Sequence, residues 1–429
     1  MYPLINQVDP DIAFLVSFWK SIPMSIANGK EWRECMNYFV FKQSPYYHQM
    51  TLEELLFGKD GQCYVVNYNE TNTRTYARES VTFPMSNKYD LYRLYSSLRT
   101  LLEDYKDVYE AEDLSVFYNT FTIPKKTHGV RRIDAPTGRL KDAQYVLKGI
   151  LERAMTTDVH GVEFGATYHT AAFAYIKKRS PKKCLQKHQR NKSRWFAKFD
   201  FSNFFGSTTP EFLFNQLSMI APFCFFGKRS MYMDMLHDAL RIAFLNGGLP
   251  QGTPLSPLLT NIMMIPIDYT LQNALRDYNK QTYVYTRYAD DIQVSSEYNF
   301  DFREVKNLIA QTLRDFNAPF EIKEEKTRYG SCAGSNWNLG MMYNKDCQIT
   351  VGYRAKRQLK AMLTNYIQDK KSGTYWDLGE VQGLNGTLSH YRNIEGDAIL
   401  EIVNALSDKF GADILWHIKQ DLKGIRVPA

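Results

Sequence analysis

Several common class features are missing from this sequence. No stretch approaches the roughly 18 apolar residues that a membrane-spanning helix needs. The N-terminus has early acidic residues and no basic region before an apolar run, so we expect no signal peptide. The six cysteines include no Cys-x-x-Cys pair, which argues against a zinc site and favours reduced thiols in a cytoplasmic protein. Internal repeats and low-complexity tracts are also missing.

What the sequence does contain is a large apolar share and a concentrated positive charge. The chain has 429 residues, 44% of them hydrophobic, which is enough for a sizeable core in two or three domains. The formal net charge is +7, and nine Lys or Arg with no acid lie between residues 177 and 194. This basic stretch predicts a polyanionic partner. The alternative is a disordered, solvated insertion.

A predicted β-hairpin from Tyr283 to Val294 carries two adjacent carboxylates. Runs rich in Tyr, Val and Ile favour strands, and the Ala-Asp-Asp between them is typical of a turn. Asp290 and Asp291 repel each other, so a fold presents them together mainly when cations neutralise them. Hard oxygen ligands of this kind suit Mg²⁺. The alternative is a solvated acidic turn.

A third carboxylate is predicted at the end of a buried strand. Apolar and aromatic residues dominate from Trp195 onward, and Asp200 follows them. Such a carboxylate is costly to bury unless it is paired or bound to a metal, so Asp200 is a candidate third ligand. The alternatives are a helix N-cap or a salt bridge. Five residues later, Phe205 could block a ribose 2′-hydroxyl beside a nucleotide pocket, or could simply belong to the core.

Two further segments suggest contacts with a nucleotide. A basic hairpin is predicted around Thr127–Gly129, where Lys125, Lys126 and Arg131 could converge on one anion. The alternative is an exposed basic hairpin. The Gly- and Pro-rich residues 247–257 predict a shaped loop with Gln251 at its apex, able to lay backbone against a base pair. The alternative is a plain turn before a helix.

The remaining elements are mostly helical. Residues 61–84 are polar and are expected to be irregular, with some alternation of residue types. Hydrophobic periodicity predicts helices at 89–105, 230–246, 302–316 and 354–366. The tail from 381 to 422 is predicted to be helical, with breaks at Gly383, Gly386, Gly396 and Gly411.

In this order the motifs resemble those of bacterial reverse transcriptases of the retron, group II intron and defence-associated types. The resemblance runs from about Phe121 to the C-terminus. Its fingers motif is "IPKKTHGVRRIDAP", which ends at Pro136, and its palm motifs are "FDFSNFF", "LPQGTPLSP", "YADD" and "EEKT". Ser256 and Pro257 fall on the second palm motif, and "NLGMMYN" resembles the primer-grip turn.

This resemblance implies a fold and a domain organisation. The fold would be α+β and of the right-hand polymerase type, with fingers, thumb and an antiparallel palm sheet. It would begin with a mainly helical N-terminal extension at residues 1–105. Fingers and palm would occupy residues 106–344, with the basic stretch at 177–194 as an insertion, and a helical thumb would occupy 345–429.

The resemblance also implies RNA-directed DNA synthesis, in which two Mg²⁺ ions, or Mn²⁺ as a substitute, help to add dNTPs to a primer 3′ end. The partners would be an RNA template, a DNA primer and dNTPs, with no membrane. The implied metal ligands are Asp200, Asp290, Asp291 and the Phe201 carbonyl. Implied nucleotide contacts are Lys125, Lys126, Arg131, Phe205, Gln251, Gly252 and Lys326, the last as a proton donor to pyrophosphate. The implied primer grip is Leu339, Gly340 and Met341, and the implied nucleic-acid backbone contacts are Arg354, Lys356, Arg357 and Lys360.

Two departures bear on the subtype. Retron enzymes usually carry Asn-Ala-x-x-His and Val-Thr-Gly elements, where this chain has "YHTAAFAY" and "WNLG". Intron-encoded enzymes usually continue past the thumb, and this sequence does not. We therefore expect an "unknown group" enzyme that copies a dedicated non-coding RNA in anti-phage defence. The alternatives are a retron-type enzyme making RNA-linked DNA, a template-independent or protein-primed polymerase, and a non-catalytic RNA-binding scaffold.

Overall fold

The computed structural model describes residues 64–69, 77–82, 88–125, 129–159, 162–166, 168–220, 223, 231–279, 281–332 and 338–428. The chain divides into two compact units. The first unit comprises the described residues up to Lys178, together with Lys198–Gln293 and Asp301–Thr327. The second comprises Arg179–Ala197, Val294–Phe300 and the residues from Arg328 onward. These bounds differ from those of the predicted extension, fingers and palm, and thumb, and that division stays a prediction.

Twelve strands occur in the described residues and form four sheets. They are β1 (Tyr64–Asn69), β2 (Ala77–Thr82), β3 (Tyr118–Pro124), β4 (Val130–Pro136), β5 (Thr156–Val159), β6 (Val162–Ala166), β7 (Trp195–Asp200), β8 (Tyr283–Tyr288), β9 (Asp291–Ser296), β10 (Arg328–Ser331), β11 (Met342–Tyr343) and β12 (Ile349–Thr350). The sheet orders are β1-β2-β5-β6, β10-β7-β9-β8, β3-β4 and β11-β12. The first, third and fourth of these sheets are antiparallel.

Thirteen α-helices complete the described part. They are α1 (Lys88–Asp104), α2 (Lys106–Tyr109), α3 (Gly138–Ala154), α4 (Pro181–Arg190), α5 (Pro210–Leu217), α6 (Met231–Leu240), α7 (Ser256–Met263), α8 (Ile265–Asp277), α9 (Phe302–Asp315), α10 (Gly352–Lys371), α11 (Leu378–Ile394), α12 (Gly396–Phe410) and α13 (Ile414–Asp421). Together with antiparallel sheets they confirm the expected α+β class. None of these helices is long and apolar enough to cross a membrane.

An aromatic cluster supports the end of β7 in the first unit. Phe201 stacks on Phe204 and on Phe320, with ring centroids 5.7 and 5.6 Å apart. Phe212 from α5 meets Phe320 edge-on at 5.3 Å. All four rings are at most 5% exposed. This rigid apolar base fixes the backbone directly after Asp200.

The second unit is largely a helical bundle. Buried aliphatic side chains from α10 to α13 form its core: Leu359, Leu363, Ile367, Leu384, Leu388, Ile399, Val403, Leu406, Ile414 and Ile418. α11 begins with a reciprocal cap in which Asp377 accepts from the Glu380 backbone and Glu380 accepts from that of Asp377. Such caps satisfy backbone groups that would otherwise lack partners at a helix start.

The structure departs from two local expectations and from one alternative, which was that the basic stretch is a disordered insertion. Residues 61–84 are not irregular throughout, because the β1–β2 hairpin lies in them. Within the basic stretch, α4 is an ordered helix. Ser180 is its N-cap and accepts a hydrogen bond from the backbone N–H of Lys183, and the side chains of Cys184, Leu185 and His188 are buried. Gly383 and Gly386 lie inside α11 rather than at breaks, since burial of Leu384 and Leu388 outweighs their low helix propensity.

Most of residues 1–105 lies outside the described residues, and there the expectation of helical structure stays a prediction. The described part of this region contains β1 and β2 as well as α1. The helix expected at 230–246 is shorter than predicted, because α6 ends at Leu240 and a 3₁₀ turn, Arg241–Ala243, follows it.

Candidate active site

The acidic hairpin is formed as predicted and meets the end of β7. β8 and β9 are joined by Ala289 and Asp290, and Ala289 adopts a left-handed φ of 57°. The backbone N–H of Phe201 donates to the carbonyl of Asp290 over 3.2 Å. Asp200, which precedes Phe201, is therefore brought to the turn that carries Asp290, about 90 residues away in sequence.

Lysines neutralise these carboxylates. The ammonium group of Lys326 lies 2.8 and 2.9 Å from the two oxygens of Asp200. Lys323 lies 3.6 Å from the same carboxylate, and Lys198 lies 3.1 Å from Asp291. Asp291 is therefore paired rather than simply solvated, and Asp200 is only 6% exposed, whereas Asp290 and Asp291 are half-buried.

The pKa shifts show that the three carboxylates are electrostatically coupled. Burial, followed by the negative charges of Asp200 and Asp291, raises the pKa of Asp290. Burial also raises the pKa of Asp291, where Lys198 opposes the shift and Asp200 adds to it. Burial is the largest single influence on Lys326 and lowers its pKa, but the hydrogen bond to Asp200 and the negative charges of Asp200, Asp290 and Asp291 together raise the pKa above its usual value. Three negative groups in one small region favour any cation that reaches them.

The fit of this donor set to a divalent cation rests on its chemistry. Carboxylate oxygens are the ligands that Mg²⁺ prefers, and the coupling of Asp290 to both other acids shows that one region contains all three. Among the described residues, no group of three or more His, Cys, Asp or Glu side chains is arranged closely enough to form a ready metal cage. The acids therefore suit the ion in chemical type, while lysine ammonium groups lie against the oxygens of Asp200 and Asp291.

The Gly- and Pro-rich loop packs against the segment that follows Asp200. The N–H of Leu249 donates to the carbonyl of Phe205 over 3.1 Å. A Cβ atom on Gly248 would lie 2.1 Å from the carbonyl oxygen of Gly206, which only glycine avoids. The ring of Phe205 itself is half-buried and meets Phe204 edge-on. The loop therefore fixes the backbone position from which the Phe205 side chain projects.

The same loop contacts the basic hairpin on its other side. The N–H of Asp134 donates to the carbonyl of Gln251 over 2.8 Å. Gly252 has a φ of 112°, and a Cβ there would lie 2.7 Å from the side chain of Ile133. The loop is thus held between two other segments of the site, which explains why glycines occur at both contacts.

Lys125 and Arg131 lie on one face of the basic hairpin. Ile123 pairs with Arg131 and Pro124 pairs with Val130, so the next residue, Lys125, lies opposite Gly129. The side chains of Lys125 and Ile123, two positions apart, point to the same face as that of Arg131. Both cations are exposed. Lys126 lies outside the described residues. Convergence of these groups on one anion stays a prediction.

The predicted primer grip forms a tight turn in the second unit. Asn338 and Met341 exchange both backbone hydrogen bonds, at 2.7 and 2.9 Å. Leu339 and Gly340 between them have φ values of 51° and 80°, which is the pattern of a type I′ turn. Leu339 accepts a conformation that few residues other than glycine adopt, so this turn shape is imposed by its surroundings.

The four basic residues predicted along α10 differ in environment. Arg354, Arg357 and Lys360 are exposed. Lys356 instead pairs with Glu395 over 2.6 Å, and its side chain is 27% exposed. The exposed three remain candidates for contact with a nucleic-acid backbone, whereas Lys356 serves an ion pair within the second unit.

Several residues of the site were missed by the sequence reasoning. Lys198 lies two positions before Asp200 in β7, so strand alternation could have placed it on the same face. Tyr175 is 59% exposed at a left-handed φ of 59°. Desolvation and the negative charge of Asp290 raise the pKa of Tyr175, while Arg131 opposes the shift. The partner of Arg287 is Asp268, and no local signal links the two.

Comparison with known proteins identifies the family. The family model described as reverse transcriptase (RNA-dependent DNA polymerase) matches residues 123–367, which is more than half of the chain. This chain belongs to the reverse transcriptase family. It is an RNA-directed DNA polymerase, and reverse transcriptases generally use divalent metal ions. The alternative of a non-catalytic RNA-binding scaffold has no support from this match.

The reverse transcriptases that resemble this chain include retron enzymes. The retron Ec83 reverse transcriptase of Escherichia coli is 26% identical over 72% of this chain and 91% of its own length. The retron Ec73 reverse transcriptase of the same species is 28% identical over 68% of this chain and 87% of its own length. The chain is therefore similar to retron-type reverse transcriptases, and membership of that subtype stays a proposal. At 26–28% identity, the departures at "YHTAAFAY" and "WNLG" do not exclude a retron-type enzyme.

Solved structures with a similar arrangement include telomerases. Telomerase from Candida albicans, in complex with a fragment of telomeric RNA, aligns with 80% of this chain and 70% of its own, at 11% identity and a TM-score of 0.40.

Proposed function

We propose that this reverse transcriptase extends a primer 3′ end by a mechanism in which Asp200, Asp290 and Asp291 hold two Mg²⁺ ions. The observation that carries the proposal is the hydrogen bond of 3.2 Å from the N–H of Phe201, the residue after Asp200, to the carbonyl of Asp290, which brings the end of β7 to the acidic turn. The raised pKa of Asp290 agrees with this arrangement, since the negative charges of Asp200 and Asp291 contribute to it after burial. When bound, the ions would activate the primer hydroxyl and stabilise the leaving pyrophosphate. The Phe201 carbonyl is a proposed additional ligand, and Mn²⁺ a substitute.

The remaining site residues are proposed to position the nucleotide. Lys125 and Arg131, on one face of the hairpin, would balance the charge of the triphosphate. Gln251 and Gly252 would present loop backbone to the new base pair, and Phe205 would exclude a ribose 2′-hydroxyl. Lys326 keeps a proton beside Asp200, where it can be given to pyrophosphate. Catalysis would then be mainly positioning and charge stabilisation.

The proposed template is a structured non-coding RNA, and the proposed setting is anti-phage defence in the bacterial cytoplasm. The sequence resemblance to defence-associated enzymes supports the setting. Whether the product is RNA-linked, as a retron-type enzyme would make it, is decided by sequencing the nucleic acid that co-purifies with the protein.

The metal role is tested by primer extension with Asp290→Asn and Asp291→Asn variants on an RNA template with a DNA primer. We expect at least a 1,000-fold loss of Mg²⁺-dependent synthesis with unchanged affinity for template–primer, because removal of a ligand charge affects chemistry more than binding. Glu297→Gln, an exposed acid after the same hairpin, is the control and should retain activity. Substantial synthesis by either Asp variant would refute the assignment.

A further inference from the structure

A completely buried ion pair joins α8 to the strand that leads into the turn carrying Asp290. The side chains of Arg287 in β8 and Asp268 in α8 are both 0% exposed. Arg287 Nε donates to Asp268 Oδ1 and Arg287 Nη2 to Asp268 Oδ2, each over 2.8 Å. The hydroxyl of Tyr285 donates to the same carboxylate over 2.6 Å. The carboxylate therefore has three donors, and the fork of the guanidinium is fixed in one orientation.

The remaining edge of that guanidinium points at the turn. Arg287 Nη1 donates to the carbonyl of Ala289 over 3.2 Å. Ala289 has the left-handed φ of 57°, which residues with a side chain rarely adopt without support. Ala289 is followed directly by Asp290 and Asp291. The Asp268 carboxylate thus orients the arginine, and the arginine holds the peptide from which both acids project.

The backbone of Arg287 is also fixed on both sides. Its N–H donates to the carbonyl of Ala171 over 2.7 Å, and its carbonyl accepts from the N–H of Phe173 over 2.8 Å. Residue 172 forms a parallel bridge with it. On the far side of the turn, Phe201 donates to the carbonyl of Asp290. Two hydrogen bonds therefore hold the turn. Arg287 donates to the carbonyl of Ala289, and Phe201 donates to the carbonyl of Asp290.

Stability alone does not explain this pair. A buried ion pair generally contributes no more to folding than a well-packed apolar pair of similar volume. What only arginine supplies is a planar fork that binds a carboxylate with two donors and leaves a third for another acceptor. Lysine could neutralise Asp268, but it could not hold both groups in one geometry.

We propose that Asp268 and Arg287 form a positioning pair that sets the Ala289–Asp290 turn, and with it the placement of Asp290 and Asp291 relative to Asp200. This proposal rests on the proposed catalytic role of those acids. Neither Asp268 nor Arg287 would touch substrate, since both are buried. Their effect would be seen in the rate of the chemical step rather than in binding of nucleic acid.

The test compares two ways of removing the pair. In the Asp268→Leu/Arg287→Met double variant, no unpaired charge stays buried, so the melting temperature should lie near that of the wild type. We expect kcat for primer extension to fall at least tenfold, while the Kd for template–primer changes less than twofold. Arg287→Lys, which keeps the charge but not the fork, should fold and show a similar fall in kcat.

A matched control exists in the second unit. Lys370 and Asp421 are 2% and 10% exposed, and the hydroxyl of Tyr366 also donates to Asp421. This control has the same chemistry of cation, aspartate and tyrosine but supports no catalytic turn. Lys370→Met/Asp421→Leu should leave kcat within twofold of the wild type.

The outcomes separate this proposal from the function on which it depends. If kcat of the Asp268/Arg287 double variant or of Arg287→Lys stays within twofold of the wild type, the pair has only a structural role and the proposal is overturned. If the double variant does not fold, Arg287→Lys alone decides. If the wild type and Asp290→Asn extend primers equally, the proposed catalytic role itself fails.

Discussion

At the scale of single residues, the site is governed by the balance between carboxylates and cations. Asp200 is buried between Lys326 and Lys323, and Asp291 pairs with Lys198. Each lysine offsets repulsion that the acids would otherwise exert on one another. A divalent ion at the proposed site would have to compete with these ammonium groups for the same oxygens, so the lysines would help to set the affinity for the ion.

Phe205 gives a prediction about sugar selection. Phe205→Ala removes the half-buried ring but keeps the backbone carbonyl that accepts from Leu249, so the loop contact should survive. We expect the preference for dNTPs over rNTPs, measured as a ratio of kcat/KM values, to fall at least tenfold. The rate with dNTPs in the same assay serves as the control. An unchanged ratio would remove the gate assignment.

His188 gives a prediction about pH. Burial, with a smaller contribution from Lys187, lowers the pKa of His188 to about 3. Its Nδ1 lies 2.6 Å from the hydroxyl of Ser295. The unfolded chain takes up a proton below its ordinary pKa of 6.5 and the folded chain does not, so stability is full above pH 6.5 and falls as the pH drops toward 3.

The expected loss from His188 is about 1.4 kcal/mol of unfolding free energy per pH unit within that window. It is measured by denaturant unfolding of the wild type and His188→Asn at several values between pH 8 and pH 5. The variant keeps a polar group near Ser295 but cannot take up the proton, so its pH dependence should be shallower. Parallel curves for the two proteins would contradict the prediction.

At the scale of elements, the Gly- and Pro-rich loop joins two segments of the site. The carbonyl of Gln251 accepts a hydrogen bond from the N–H of Asp134, and the N–H of Leu249 donates one to the carbonyl of Phe205. Both contacts involve backbone, so they require close approach of chains rather than particular side chains. Substitution of a loop glycine should therefore disturb nucleotide placement and stability together.

Gly248→Ala tests this directly. The added Cβ would lie 2.1 Å from the backbone oxygen of Gly206, so one of the two segments must move. We expect a loss of about 1–3 kcal/mol of unfolding free energy, as for other overpacked sites, together with lower polymerase activity. Gly149→Ala, on an exposed face of α3 with nothing within 4 Å, is the control and should be neutral or slightly stabilising. Equal effects of the two substitutions would contradict the close packing.

At the scale of the whole molecule, positive charge is concentrated in a few elements. The basic stretch contains nine of the 53 Lys and Arg residues, and without it the remaining net charge is 7 − 9 = −2. α4 is folded, with Cys184, Leu185 and His188 buried, and its exposed cations are Lys183 and Arg190, so a helix holds these charges in place. A fixed array of charge is better suited to a nucleic-acid backbone than a solvated loop is.

The charge array predicts the salt dependence of RNA binding. Lys183, Arg190 and Lys192 are exposed, and replacing all three with Gln should weaken binding. For each phosphate that the variant no longer neutralises, the slope of log K against log salt concentration should fall by about 0.7 to 0.9. The control replaces three exposed lysines near the C-terminus, Lys409, Lys419 and Lys423, with Gln. Equal slopes for the two triple variants would show that only net charge matters.

Much of the candidate site could be predicted from sequence because its signals are local. The hairpin around Asp290, the strand that ends at Asp200 and the helix at 302–316 follow from residue types within a few positions of each other. The order of the motifs then indicated the family, which the comparison confirmed. Local preferences of this kind are properties of the chain itself, and they need no knowledge of what packs against it.

Only the tertiary structure decided which distant residues meet. The contact between Phe201 and Asp290, the capture of Asp200 by Lys326 and the pairing of Arg287 with Asp268 all join residues separated by 19 to 126 positions. The helical state of residues 383 and 386 was likewise decided by burial of their neighbours rather than by glycine's own preference. The physical reason is the same in each case. Charge pairing and apolar burial depend on distance in space, and the sequence specifies that distance only through the folded chain.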